Sequence, residues 1–349
     1  MDTLLYLLIG TYTAGLSEGV YLYRFDITNG DARYVNEVVV DNPSYMDVWD
    51  GKHIYTVSEQ EEQPSYANTL FFDREQEKLT LLNRQETEAA SPCHIAVAAN
   101  GEFVVTANYG GGSITVFATN PDSTLAPASQ HIRFEGRGTN VLRQDAPHLH
   151  CVKFSPDGKY LFATDLGTDH IYRFEIDPAQ RVFVKETSLK SFKVADGSGP
   201  RHFVFHPSNR YMYLINELSG AVMGFHYHDG ELVEFQSIRA DTLHAQGSAD
   251  IGITPDGKFL YASNRGKGDG IAIFSIHEPD GKLTKTGYQP TGSHPRNFVI
   301  SPNGKFLLVA CRDSHLIEIF EIDPATGLLK NIHKPIEINR PVCLKFILK

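Results

Sequence analysis

Short apolar runs follow one another along the whole chain, each closed off by Gly, Pro, Asp or Asn. Several alternate with a period of two, as in Ile114-Thr115-Val116-Phe117, Ile171-Tyr172-Arg173-Phe174, Ile271-Ala272-Ile273-Phe274 and Ile317-Glu318-Ile319-Phe320. That period places alternate side chains on opposite faces of a half-buried strand. Other runs are apolar throughout, such as Phe203-Val204-Phe205 and Phe298-Val299-Ile300. Between them stand Pro156-Asp157-Gly158, Pro255-Asp256-Gly257 and Pro302-Asn303-Gly304. Pro presets φ and Gly accepts positive φ, so these are read as tight hairpin turns. No stretch of useful length carries helical periodicity.

The runs recur as a unit. Aligned starts fall at Pro43, Pro92, Leu149, Pro200, Ser248, Pro295 and Pro341, with spacings of 49, 57, 51, 48, 47 and 46 residues. A period of this size filled with short strands signals a propeller or another repeat array, whose units bury their apolar faces against one another. Each unit reads as four strands. Six units are complete, and the seventh is split. Arg340 to Phe346 supplies its inner strand, while Leu4–Gly10, Gly19–Asp26 and Tyr34–Val38 match its second, third and fourth strands. The expected fold is therefore all-β, a seven-bladed β-propeller of four-stranded antiparallel blades. Strands from both ends of the chain close the ring in one blade, and residues 1–349 form a single domain.

Composition narrows the function. The net charge of -10 argues against nucleic acid or an anionic membrane as partner. The apolar start Leu4–Ile9 is too short to span a bilayer and lacks a basic leader, so a cytoplasmic location is expected. Cys93, Cys151, Cys311 and Cys343 show no ligand spacing and read as reduced, mostly buried residues. Neither a metal nor a cofactor is expected.

In an antiparallel blade, the start of the inner strand and the end of the second strand lie at the same edge. The inner-strand residue beside each aligned start is Ser44, Cys93, His150, Arg201, Ala249, Arg296 or Val342. The residue just past the second strand is Glu59, Tyr109, Leu166, Glu217, Arg265 or Arg312. One end of the central channel thus gathers a histidine, arginines and two carboxylates, the makings of a small-molecule site. Each member also has a plainer reading. His206 suits a turn, Glu59 adjoins Gln60-Glu61-Glu62 and reads as a solvated acidic loop, and Gly110-Gly111-Gly112 reads as a hairpin rather than a phosphate cradle. Asp165, Asn216 and Asn264 suit turn caps.

The strings Ile9-Gly10-Thr11-Tyr12-Thr13, Ala107-Asn108-Tyr109-Gly110-Gly111-Gly112-Ser113, Gly199-Pro200-Arg201-His202, Asn216-Glu217-Leu218, Ser263-Asn264-Arg265 and His294-Pro295-Arg296-Asn297-Phe298 resemble, together and in order, the bacterial seven-bladed β-propeller lactonases. That family includes propeller-type 6-phosphogluconolactonases and is related to carboxymuconate lactonizing enzymes. The resemblance implies a hydrolase of a small anionic lactone, with His150, Arg201, Glu217 and Arg265 as catalytic residues. His148, Arg296, His202, Asn108 and Tyr109 are expected to bind substrate. The family's His-Pro-His stands here as His148-Leu149-His150, which leaves open which histidine acts.

Lactone opening needs an activated water and a stabilised oxyanion. Either Glu217 or His150 can accept the proton, Arg201 and Arg265 can hold the oxyanion, and Arg296 can meet an anionic substituent. Two further readings remain: a cyclase acting on a carboxylated muconolactone, and a non-catalytic docking scaffold. A homodimer is compatible with all three.

Overall fold

The computed structural model describes residues 3–62, 64–177 and 183–348. Seven antiparallel sheets make up the molecule, and six of them run outward in chain order: Met46–Trp49 to Lys78–Glu86, Pro92–Val97 to Leu125–Arg133, Leu149–Phe154 to Val184–Lys193, Pro200–Phe205 to Glu231–Arg239, Ser248–Ile253 to Leu283–Pro290, and Pro295–Ile300 to Leu329–Asn331. The seventh sheet has Pro341–Ile347 innermost, followed by Leu4–Thr11, Gly19–Asp26 and Ala32–Val39. The all-β propeller with a shared closing blade is the fold expected from the repeat. Among the described residues, the only helical element is a single 3-10 turn, Arg312–Ser314.

The apolar faces pack between blades rather than within them. Phe103, Val105 and Val116 of one blade meet Leu161, Tyr172 and Phe174 of the next. At the closure, Leu7, Phe25 and Phe346 of the shared blade meet Leu308 and Ile319 of its neighbour. The inner hairpins turn as their residues dictate: Gly158, Gly257 and Gly304 have φ of 70°, 76° and 72°. In each turn a Ser or Thr hydroxyl donates to the Asp or Asn side chain two residues on, for example Ser155 to Asp157 at 2.6 Å and Thr254 to Asp256 at 2.6 Å.

One regularity was not legible in the pattern. The inner strands slip register at their first residues, between Pro92 and His94, Leu149 and Cys151, Pro200 and His202, Ser248 and Ile251, and Pro295 and Asn297. The slipped residues include Cys93, His150, Arg201 and Arg296. A bulge of this kind re-aims the extra side chain, and here it turns those residues toward the channel axis. The first blade differs: its inner strand starts at Met46, three residues after the aligned Pro43.

Candidate active site at the channel mouth

Register fixes the frame of the site. Pro200 pairs with Asn216, Ser248 with Asn264, and Pro295 with Cys311. The residues just beyond these pairs therefore share one end of the channel. Gly199, at φ 66°, begins the blade that carries Arg201; a Cβ there would meet Leu218 Cγ at 2.6 Å, so only glycine fits. Its carbonyl accepts the Glu217 amide at 2.7 Å and fixes the backbone of that carboxylate.

Glu217 stands at the centre. Its Oε2 accepts from Arg201 Nε at 2.8 Å and pairs with Arg265 Nη2 at 3.0 Å. Its Oε1 accepts from Arg143 Nη2 at 2.7 Å. His150 Nε2 lies 4.0 Å from Oε2. Burial would raise this carboxyl, but the guanidiniums of Arg265, Arg201 and Arg143 outweigh it and hold Glu217 far below the ordinary carboxylate range.

The surrounding groups are held just as firmly. Arg201 is 1% exposed and also donates Nη1 to the Ala249 carbonyl at 2.6 Å. Arg265 donates Nε to the Gly247 carbonyl at 2.8 Å. Burial brings it down to about 9 in spite of Glu217 beside it, so it remains cationic at neutral pH. His150 is buried, with Cys93 Sγ 3.8 Å from its Nδ1. Burial, then Arg201 and His202, keep its imidazole well below the ordinary value, and it is neutral at pH 7.

Across the channel, Arg296 Nη2 meets Glu59 Oε2 at 3.4 Å and lies over the Tyr12 ring at 5.3 Å. The Tyr12 hydroxyl donates to the same Glu59 oxygen at 2.9 Å. Glu59 is thus no solvated loop residue; it is the counter-ion of Arg296. A small cavity in the channel is lined by Ser44, just ahead of its blade's inner strand, and by the inner-strand residues Cys93, His150, Arg201, Arg296 and Val342.

Other expected residues stand farther back. His148 stacks on Tyr109 at 4.4 Å, and its Nδ1 lies 3.0 Å from the Tyr109 carbonyl. It braces Tyr109 and does not reach Glu217, whereas His150 does. Tyr109 faces the mouth, its hydroxyl 3.4 Å from Arg143 Nη2. His202 lies one layer below the mouth, donating Nδ1–H to Asp250 Oδ1 at 2.8 Å, with Arg201 Nη1 3.5 Å from its Nε2. Asn108 does not face the channel. It is fully buried, and its amide donates to Ser113 and Thr115 while its oxygen accepts from Thr106. The expected substrate contact by Asn108 is therefore corrected to a strand-end lock. Arg312, also at the rim, is tied by Nε and Nη2 to Asp313.

Arg143 was missed. It lies on the connection Phe134–His148, outside the repeated strands. The signal was the 57-residue spacing between Pro92 and Leu149, the longest in the chain.

A neutral imidazole beside a pinned carboxylate, ringed by guanidiniums at a propeller's mouth, suits the opening of an ester bond in an anionic small molecule. The fold and the site define a propeller hydrolase. The chain matches, over residues 6–346, the family described as Lactonase, 7-bladed beta-propeller, and it belongs to that family of lactone-hydrolysing enzymes. It is 37% identical over 328 residues to the 6-phosphogluconolactonase of Formosa agariphila, a match covering 92% of this chain and 93% of the relative. A crystal structure of a candidate 6-phosphogluconolactonase from Bacteroides fragilis superposes with a TM-score of 0.96 at 51% identity, covering 99% of this chain and 98% of that one. The periplasmic gluconolactonase of Pseudomonas aeruginosa superposes with a TM-score of 0.90 at 32% identity, each chain covered to 99%.

Proposed function

We propose that the chain hydrolyses 6-phospho-D-glucono-1,5-lactone to 6-phosphogluconate, acting as one domain in the cytoplasm. The observation that carries the reading is the charge of the mouth. Among the described residues, Arg143, Arg201, Arg265 and Arg296 are paired there with the carboxylates of Glu217 and Glu59 alone, which leaves two positive charges for a phosphate dianion. The names of the relatives support the substrate, and four free, buried cysteines suit a reducing compartment. No described helix is long and apolar enough to cross a membrane.

In this reading His150 is the general base. A carboxylate held by three guanidiniums is a poor proton acceptor, whereas a neutral imidazole has a free lone pair. Water adds to the C1 carbonyl as His150 takes its proton. The oxyanion forms against Arg201 and Arg265, whose donors are already fixed. The C1–O5 bond then breaks, and the imidazolium returns its proton to the ring oxygen. Glu217 supplies the counter-charge that makes the imidazolium attainable in a buried site.

The experiment is a pH-stat assay on freshly prepared lactone, corrected for spontaneous opening, with a parallel arm on carboxymuconate. Acid release well above the spontaneous rate is expected on the phosphorylated lactone. Turnover confined to carboxymuconate would replace this reading with the cyclase one.

A further inference from the structure

Arg143 differs from the other arginines of the mouth in exposure and in the use of its donors. Its side chain is 38% exposed, against 1% for Arg201, 10% for Arg265 and 14% for Arg296. Only Nη2 is engaged, by Glu217 and at longer range by Tyr109. Among the described residues, no protein group takes its Nε or Nη1. It therefore keeps donors free at the entrance of the site.

The backbone beneath it is fixed. Gln144, fully buried, donates Nε2 to the Leu166 carbonyl at 2.9 Å and to Asp169 Oδ1 at 2.8 Å, and accepts the Asn140 amide at 2.9 Å. The Arg143 and Gln144 amides both donate to the Asn140 carbonyl, at 3.0 and 2.7 Å. The guanidinium thus stands on a pinned turn, and binding an anion there need not order a loop.

We propose that Arg143 reads the phosphate of the substrate and sets the preference for phosphorylated over unphosphorylated sugar lactones. The inference rests on the lactonase reading given above. With the C1 carbonyl turned down the channel to Arg201 and Arg265, the C6 substituent beyond the ring oxygen points back toward the entrance. Arg143 is the guanidinium waiting there. Arg296 is less suited, since Glu59 and Tyr12 already occupy it. With Nη2 held by Glu217, Nε–H and Nη1–H remain to donate to phosphate oxygens, so one guanidinium can bridge the carboxylate and the phosphate, which the compact ammonium of lysine matches less well.

The measurement is kcat/KM for 6-phosphogluconolactone and for glucono-1,5-lactone, on wild type, Arg143→Ala and Arg143→Lys. Inhibition by inorganic phosphate is followed alongside. The ratio of the two kcat/KM values is expected to fall about 10- to 100-fold in Arg143→Ala, the worth of hydrogen bonds to a charged group. The loss should be carried mainly by KM, with weaker phosphate inhibition and partial recovery in Arg143→Lys. A proportional fall on both substrates would assign Arg143 to Glu217 alone and overturn the proposal, as would no change on either. A wild type that opens only the unphosphorylated lactone would defeat the substrate reading. Phosphate inhibition would then decide on Arg143 separately: inhibition equal in wild type and Arg143→Ala would sink its role in anion recognition.

Discussion

Glu217 is held on both oxygens by Arg143, Arg201 and Arg265, and this arrangement separates two roles that its type and position left open. A general base would be dispensable for folding, whereas a counter-ion to buried guanidiniums is not. We expect Glu217→Gln to lower folding stability by about 3–5 kcal/mol, the cost of leaving buried charges unmatched, as well as slowing turnover. Urea unfolding followed by tryptophan fluorescence measures the first effect; an unshifted midpoint would return Glu217 to the role of base. His150→Asn should lower kcat by about 10²-fold or more while unfolding at nearly the wild-type midpoint. At this scale strand alignment placed His150, Arg201, Glu217 and Arg265 on one rim, and the family resemblance singled them out within it. The bulge after Leu149 places His150, and not His148, beside Glu217, and a backbone irregularity of this kind leaves no mark in an apolar–polar pattern.

Among the elements, the repeated strands were legible because each carries its own periodicity and turn residues. The connection Phe134–His148 was not, because it obeys no repeat and is held by side chains distant in sequence. Gln144 reaches Leu166 and Asp169, and Asp169 in turn accepts the Gly197 and Gly199 amides at 2.7 and 2.8 Å. The connection also lies against the turn after Asp165, where a Cβ on Gly167 would come within 1.8 Å of the Ala146 carbonyl. Gly167→Ala must therefore push the connection away, at about 1–3 kcal/mol for an overpacked contact. Arg143 would move with it. The expected outcome is a loss of preference for phosphorylated lactone similar to that of Arg143→Ala, with unchanged far-ultraviolet circular dichroism. A variant with wild-type preference would mean that Arg143 is positioned without this contact. Asn108 shows the opposite limit of sequence reading: it stands in a motif beside Tyr109, yet its side chain turns into the blade and spends every donor and acceptor there.

For the whole molecule, closure and buried histidines set the terms of stability. Removing the strand Pro341–Ile347 would strip Leu4–Thr11 of its inner partner and expose the core around Leu344, Phe346 and Ile347. A chain ending at Arg340 is expected to be insoluble or to lack a cooperative melt in calorimetry; a melt within a few degrees of the full chain would contradict the closing role. His94, His150 and His202 are all held well below the ordinary histidine value, first by burial, then by Arg201, His202 or other neighbouring positive charge. The unfolded chain takes up these protons below about pH 6.5 while the folded chain does not, so stability is lost as pH falls through that point. Each group contributes up to about 1.4 kcal/mol per pH unit below it. The urea midpoint is expected to drop steeply from pH 7 to pH 5, and less steeply in His94→Asn. An equal slope in that variant would show that His94 is not one of the groups responsible.

The closing blade also decides how the molecule can be held. Tyr6 pairs with Ile347 and Thr11 with Pro341, so Leu4 and Ile347 lie side by side, at the face opposite the mouth. A pull applied between those two points would open the pair one hydrogen bond at a time, as a zipper opens, instead of shearing all of them together. A tether, tag or fused protein joined at either point emerges on that rear face. An enzyme immobilised in this way turns its entrance outward to the solution.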